Sequence, residues 1–199
     1  MGGFLCANFV AVIFLTWTPT FLVEKFHYPL GAAGLTGTVY IHLASAIAVP
    51  VAGWLADRLA RRWAAGRAFV QMLGLLAGAA FVFVVGNTSN TTTLVFAMVC
   101  FGLGKGFYDS GIFASLYDVI EPRARGTAAG LMNTVGWGGG ALGPLFVGFA
   151  TKYGGKSSTV ENMSNAIAFG SLFYLAAAGC LLGAMLLSKN TNGPRAKSP

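Results

Sequence analysis

The sequence predicts an all-α integral membrane protein of six transmembrane helices. Of its 199 residues, 55% are hydrophobic and only 10% are charged, and glycine is unusually frequent at 28 residues. Soluble domains carry roughly a quarter charged residues, so this chain lacks the charge to wet a globular surface. The mean hydropathy is +0.67. The apolar residues also fall into long uninterrupted runs rather than recurring every 3.6 residues, as they would on a buried helix of a soluble protein.

The first run covers residues 4–23. It has no basic residue before Lys25 and is too long for the core of a secretory signal, so it is expected to stay as the first span. The others cover residues 35–56, 68–85, 94–117, 127–150 and 166–187. About 20 residues at 1.5 Å each cross a hydrocarbon core of roughly 30 Å, and each run is long enough to do so. Only the fourth contains charge, at Lys105 and Asp109. The expected organisation is one six-helix domain over residues 1–188 and a polar tail over 189–199.

Six spans leave both termini on one side, and basic residues identify it. Arg58, Arg61, Arg62, Arg67, Arg123, Arg125, Lys189, Arg195 and Lys197 lie on the side of the termini, against Lys25, Lys152 and Lys156 on the other. The positive-inside rule then places both termini in the cytoplasm. The net charge of +7 follows from this asymmetry, and no basic face interleaved with aromatics calls for a nucleic-acid partner. Cys6, Cys100 and Cys180 fall in different spans without metal or redox spacing, so no metal or other cofactor is expected. No nucleophile–base constellation or phosphate-cradling loop supports an enzyme; "GLGKG" at Gly102 lacks the ending of a P-loop.

Small residues recur four apart at Gly74/Gly78, Gly102/Gly106, Gly136/Gly140, Gly139/Gly143 and Gly179/Gly183. In lipid, close backbone approach across such residues supplies much of helix association. Pro19, Pro50 and Pro144 interrupt spans and can kink them.

Two stretches carry a family resemblance. "GWLADRLARR", with Gly53, Asp57, Arg58, Arg61 and Arg62, resembles the loop signature of the major facilitator superfamily, with Ala60 standing where a second glycine is usual. "DVIEPRARGTAAGLMNTVGWGGGALGPLFVG" is similar to the family's next hairpin, with Asp118, Glu121, Arg123 and Arg125 in the loop and Gly139, Gly143, Pro144 and Gly148 in a glycine-proline helix. Pro144 to Gly148 also echoes Pro50 to Gly53 three helices earlier. The resemblance implies a 3+3 inverted repeat and half of a major facilitator fold. "FLTWTPTFLVEKF" and the short tail resemble the second, C-terminal half, which implies a missing N-terminal half or a second subunit as partner. "GKGFYDSG" is similar to sugar-phosphate and organic-anion permeases of the superfamily.

A lysine at mid-span costs roughly 2.5–3.5 kcal/mol on insertion scales and marks a substrate or ion path. Lys105 is such a residue, and Asp109, four residues on, shares its helix face. Mutual neutralisation of a purely structural pair is the alternative reading. The resemblance implies that the first and fourth helices of a half line the central cavity. Lys105, Asp109 and Tyr108 on the fourth span and Trp17 on the first are therefore substrate-binding candidates, joined by Tyr40 and His42 on the second and Asn133 and Trp137 on the fifth. Lys105 would hold an anionic group, and Asp109 or His42 would carry a coupling proton. Gly53, Asp57, Arg58, Arg61 and Arg62 would form the conformational switch, with Asp57 latching span two against span five. Gly139, Gly143 and Pro144 would serve helix packing.

The function implied is secondary active transport, by alternating access and possible symport, of a small anionic organic solute such as a sugar acid, sugar phosphate or carboxylate. The expected location is a bacterial cytoplasmic membrane. A transporter-like sensor that binds without moving its ligand, or a non-functional half, stays open as an alternative.

Overall fold

The computed structural model describes residues 1–156 and 158–191. Its helices are α1 (Gly2–Phe26), α2 (Leu30–Ala60), α3 (Gly66–Asn87), α4 (Thr91–Asp109), α5 (Ile112–Tyr117), α6 (Arg125–Tyr153) and α7 (Thr159–Thr191), with a 3-10 turn at Pro122–Ala124. No strand occurs among the described residues. Arg195 and Lys197 of the expected tail lie outside the described residues.

Local chemistry sets the helix ends. α1 stops at His27, whose left-handed backbone (φ 55) lets His27 and Tyr28 return their N–H groups to Val23 and Leu22, and Pro29 then bars continuation. α4 starts at Asn90, whose side-chain oxygen accepts from the N–H groups of Thr92 and Thr93 at 2.8 and 3.2 Å. Among the described residues, five segments are long and apolar enough to cross a membrane: Gly2–Phe26, Leu30–Ala60, Gly66–Asn87, Thr91–Tyr117 and Thr159–Leu187. The fifth expected span differs. α6 has 29 residues, about 43 Å of helix, but its glycines dilute its hydropathy and it is not among those five.

The fourth expected span is not one helix. It breaks at Ser110–Gly111, separating α4 from the six-residue α5. The Ser110 hydroxyl donates to the Phe107 carbonyl at 2.9 Å, a local bond that competes with helix continuation, and glycine follows it.

The packing pattern follows an inverted 3+3 repeat in which α1, α2 and α3 correspond to α4, α6 and α7. The α1–α6 contact matches α4–α2 in extent, α1–α7 is mirrored by α4–α3, and α2–α3 matches α6–α7, while α3 and α7 form the largest contact of all. One correspondence fails: α1 touches α2 directly, whereas on the other side it is α5 that reaches α6.

Glycines make the crossings close. A Cβ on Gly74 would lie 2.5 Å from the Gly104 carbonyl, and one on Gly106 would lie 2.6 Å from that of Ser45. A Cβ on Gly139 would collide with Leu5 Cγ, and one on Gly143 with the Phe9 carbonyl oxygen, so α6 approaches α1 closely there. Gly179 and Gly183 depart from expectation, since nothing stands within 4 Å of a Cβ at either. Aromatic stacks complete the interior, Phe9 on Phe173 at 4.0 Å and Phe14 on Phe101 at 4.4 Å.

Candidate functional site

The charges of the fourth span meet in the fold as their spacing implies. Lys105 and Asp109, one helical turn apart on α4, form an ion pair. Their side chains are 19% and 30% exposed, so the pair is accessible without being a surface feature. Lys105 lines a small cleft between α1, α2 and α4 together with His42, Ala11, Phe14, Leu15 and Ile41. Phe14 and Phe101 stack along its wall, and Gly37 keeps α2 close. The cleft as it stands has room for about one water molecule, so an anion could reach Lys105 and His42 only if the helices part and Asp109 yields its place.

The other candidates are dispersed around this cleft. Tyr108 is 5% exposed, packed into the apolar core and not among the residues lining the cleft. Trp17 is half-buried, and its indole N–H donates to the Pro144 carbonyl at 3.1 Å, tying α1 to α6. Tyr40 is exposed on α2, but two residues from His42 puts it on a different face. Asn133 is half-buried and Trp137 exposed, both on α6 and outside the residues lining the cleft.

A second polar cluster lies at the arginine-rich end of the bundle. Arg67, at the start of α3, donates through Nε and Nη2 to Asp57 at 3.1 and 2.8 Å, and through Nη1 to both oxygens of Asp118 at 2.6 Å. One guanidinium thus joins the end of α2, the start of α3 and the segment after α5. Its planar fork suits two carboxylates at once. Asp57 was expected to latch α2 against α6; its ion-pair partner here is Arg67 of α3. Arg58 lies over the Trp54 ring at 5.4 Å, and Arg61 and Arg62 are exposed in the turn after α2. Gly53 is unconfined, with nothing within 4 Å of a Cβ. The close approach in this loop is at Gly66, where a Cβ would lie 2.6 Å from the Ala60 backbone nitrogen. Ala60 itself is the last residue of α2 and needs no glycine.

Three polar side chains were not singled out by sequence. Arg67 carries the charge cluster, and its position immediately before the apolar run over 68–85 was the available signal. Lys25, at the opposite end, donates to the Gly86 carbonyl at 3.1 Å and to the Ser164 hydroxyl at 3.0 Å, closing α1 on α3 and α7. Gln71, an uncharged residue of the third span, is 2% exposed and hydrogen-bonded across the break in the fourth.

Several proteins named as transporters are similar to the chain. A solved bacterial homologue of the human lysosomal transporter Spinster, inward-facing and unoccupied, superposes with a TM-score of 0.81 at 18% identity, covering 98% of this chain and 48% of that one. The sodium-dependent phosphate transport protein 1 (chloroplastic) of Arabidopsis thaliana is 32% identical over 75% of this chain and 29% of its own length. The chloroplastic ascorbate transporter of the same plant is 30% identical over 75% of this chain and 28% of its own length. The D-galactonate transporter of Escherichia coli O6:H1 is 28% identical over 90% of this chain and 41% of its own length. The chain thus spans less than half the length of each of these relatives. A sequence profile described as Major Facilitator Superfamily matches residues 1–199. Together with the apolar helices and the inverted repeat, this establishes that the chain is an integral membrane protein and belongs to the Major Facilitator Superfamily.

Proposed function

We propose that the chain forms one half of a secondary transporter that moves a small anionic organic solute by alternating access. The observation that carries this reading is the Lys105–Asp109 pair beside His42 in a cleft between α1, α2 and α4. An ammonium at mid-span is a costly feature with a direct use: a point charge for a carboxylate or phosphate. Relatives named for phosphate, ascorbate and D-galactonate, all anions, support that class. A second six-helix half is proposed to complete the cavity, with exposed Tyr40 and Trp137 available to face it. The arginine-rich end is proposed to face the cytoplasm of a bacterial cell, and Asp109 or His42 to carry a coupling proton.

The test is uptake of labelled D-galactonate, ascorbate and phosphate by proteoliposomes of the intact polypeptide. Lys105→Ala is expected to abolish uptake while insertion persists, because removing one partner of a buried charge contact costs about 2–5 kcal/mol of binding. Undiminished uptake by correctly inserted Lys105→Ala protein would overturn the role of this lysine. If Asp109 carries the proton, Asp109→Asn retains anion exchange at zero gradient but loses accumulation driven by a proton gradient.

A further inference from the structure

Gln71 belongs neither to the ion pair nor to the arginine cluster, yet its placement is demanding. It sits in α3, and an amide enclosed in an apolar bundle is destabilising unless its polar atoms find partners. Both find them on the same neighbouring segment. Its Nε2 donates to the Tyr108 carbonyl at 3.4 Å, and its Oε1 accepts from the Ser115 hydroxyl at 3.3 Å. Those partners lie on opposite sides of the break at Ser110–Gly111. The amide also fills the space at the break itself, because a Cβ on Gly111 would lie 2.7 Å from Nε2.

The break falls within Thr91–Tyr117, a segment long and apolar enough to cross a membrane, and backbone groups freed in such a segment call for partners from neighbouring side chains. The Tyr108 carbonyl is met by the Gly111 N–H at a long 3.4 Å as well as by Gln71. α5 has no buried residue of its own and makes only small contacts with α3 and α6. Ile112, half-buried against the apolar core, anchors the start of α5, and the bond from Ser115 to Gln71 is the polar tie further along it.

We infer that Gln71 fixes the angle between α4 and α5, and so acts as a positioning residue for Asp109, the last residue of α4, and for the Lys105 it pairs with. The claim about the break stands without the transport reading; only its consequence for uptake rests on it.

The experiment uses the intact polypeptide with Cys6, Cys100 and Cys180 replaced by serine and spin labels at Phe83 on α3 and Phe113 on α5, both exposed. Distances are read by pulsed electron paramagnetic resonance. Gln71→Met, close in volume but lacking the amide, is expected to broaden the distance distribution or shift it by roughly 2 Å, the scale of helix shifts in switching proteins. Gly111→Ala is expected to shift it as well, and to shift it less when combined with Gln71→Ala, which removes the colliding atoms. A Gln71→Met distribution that superimposes on the parent overturns the inference, even if the yield of folded protein falls, since the amide would then serve stability alone. If Gln71→Met does not insert, Ser115→Ala carries the same test by removing only the bond below the break. In the uptake assay, the maximal rate of Gln71→Met per folded molecule should fall roughly tenfold or more, within the hundredfold that a misplacement of about 1 Å can cost. A parent protein without uptake would refute the transport proposal, while the distance measurement would still decide the role of Gln71.

Discussion

Asp57 and Asp118 share a single arginine, and that arrangement determines how substitutions at the arginine-rich end should combine. Their side chains are 57% and 48% exposed, where isolated ion pairs stabilise little. The value of the cluster lies in joining three segments through one guanidinium. Arg67→Ala and Asp57→Asn are therefore expected to be non-additive, with a coupling of about 0.5–3 kcal/mol in a double-mutant cycle read from exchange rates. Asp57→Asn should slow exchange more than it weakens ligand binding; the reverse order, in paired transport and binding assays, would refute a switching role. In the same loop, Gly66→Ala should destabilise by about 1–3 kcal/mol through overpacking, whereas Gly53→Ala should be tolerated, both read from thermal unfolding in detergent. The Lys105–Asp109 pairing was legible because spacing within one helix fixes it. The partner of Asp57 was not, since it depends on how two helices meet. Nor was the need for glycine at position 66 rather than 60, which arises from the fold of the loop.

Helices were legible where apolar length alone decides. The runs over 35–56 and 68–85 stand inside α2 and α3, but each helix extends further, because i→i−4 backbone bonds continue through flanking residues whatever their polarity. Breaks were less legible. Ser110 and Gly111 look like ordinary small residues of a membrane helix, and the amide that accompanies the break comes from Gln71, far away in sequence. The glycine pairs divide in the same way: a four-residue spacing finds candidates, but only packing identifies which of them touch. Gly74→Leu or Gly106→Leu should therefore disrupt folding, measured as lost monodisperse protein in size-exclusion chromatography, since both meet a neighbouring backbone within 2.6 Å. Gly179→Leu and Gly183→Leu should leave it unchanged. Equal effects at the two sets would refute this assignment of crossings.

At the scale of the whole molecule, the distribution of basic residues and the inverted repeat make a joint prediction about orientation. In intact cells, and in a background without native cysteines, Thr92→Cys should be blocked by a membrane-impermeant thiol reagent and Arg62→Cys should be protected. The opposite result would invert the proposed topology. The repeat also dictates the partners of each helix, and those partners lie far apart along the chain. α1 packs chiefly on α6 and α7, and α3 most extensively on α7. During synthesis, α1 thus enters the membrane before either main partner exists, and the Phe9 face that finally stacks on Phe173 waits against lipid. A nascent chain released after Tyr153 would lack α7, the helix that packs most extensively on α3. Its quality-control fate would be that of an unfinished bundle, so premature termination in the last fifth of this segment should be as damaging as loss of its first helix.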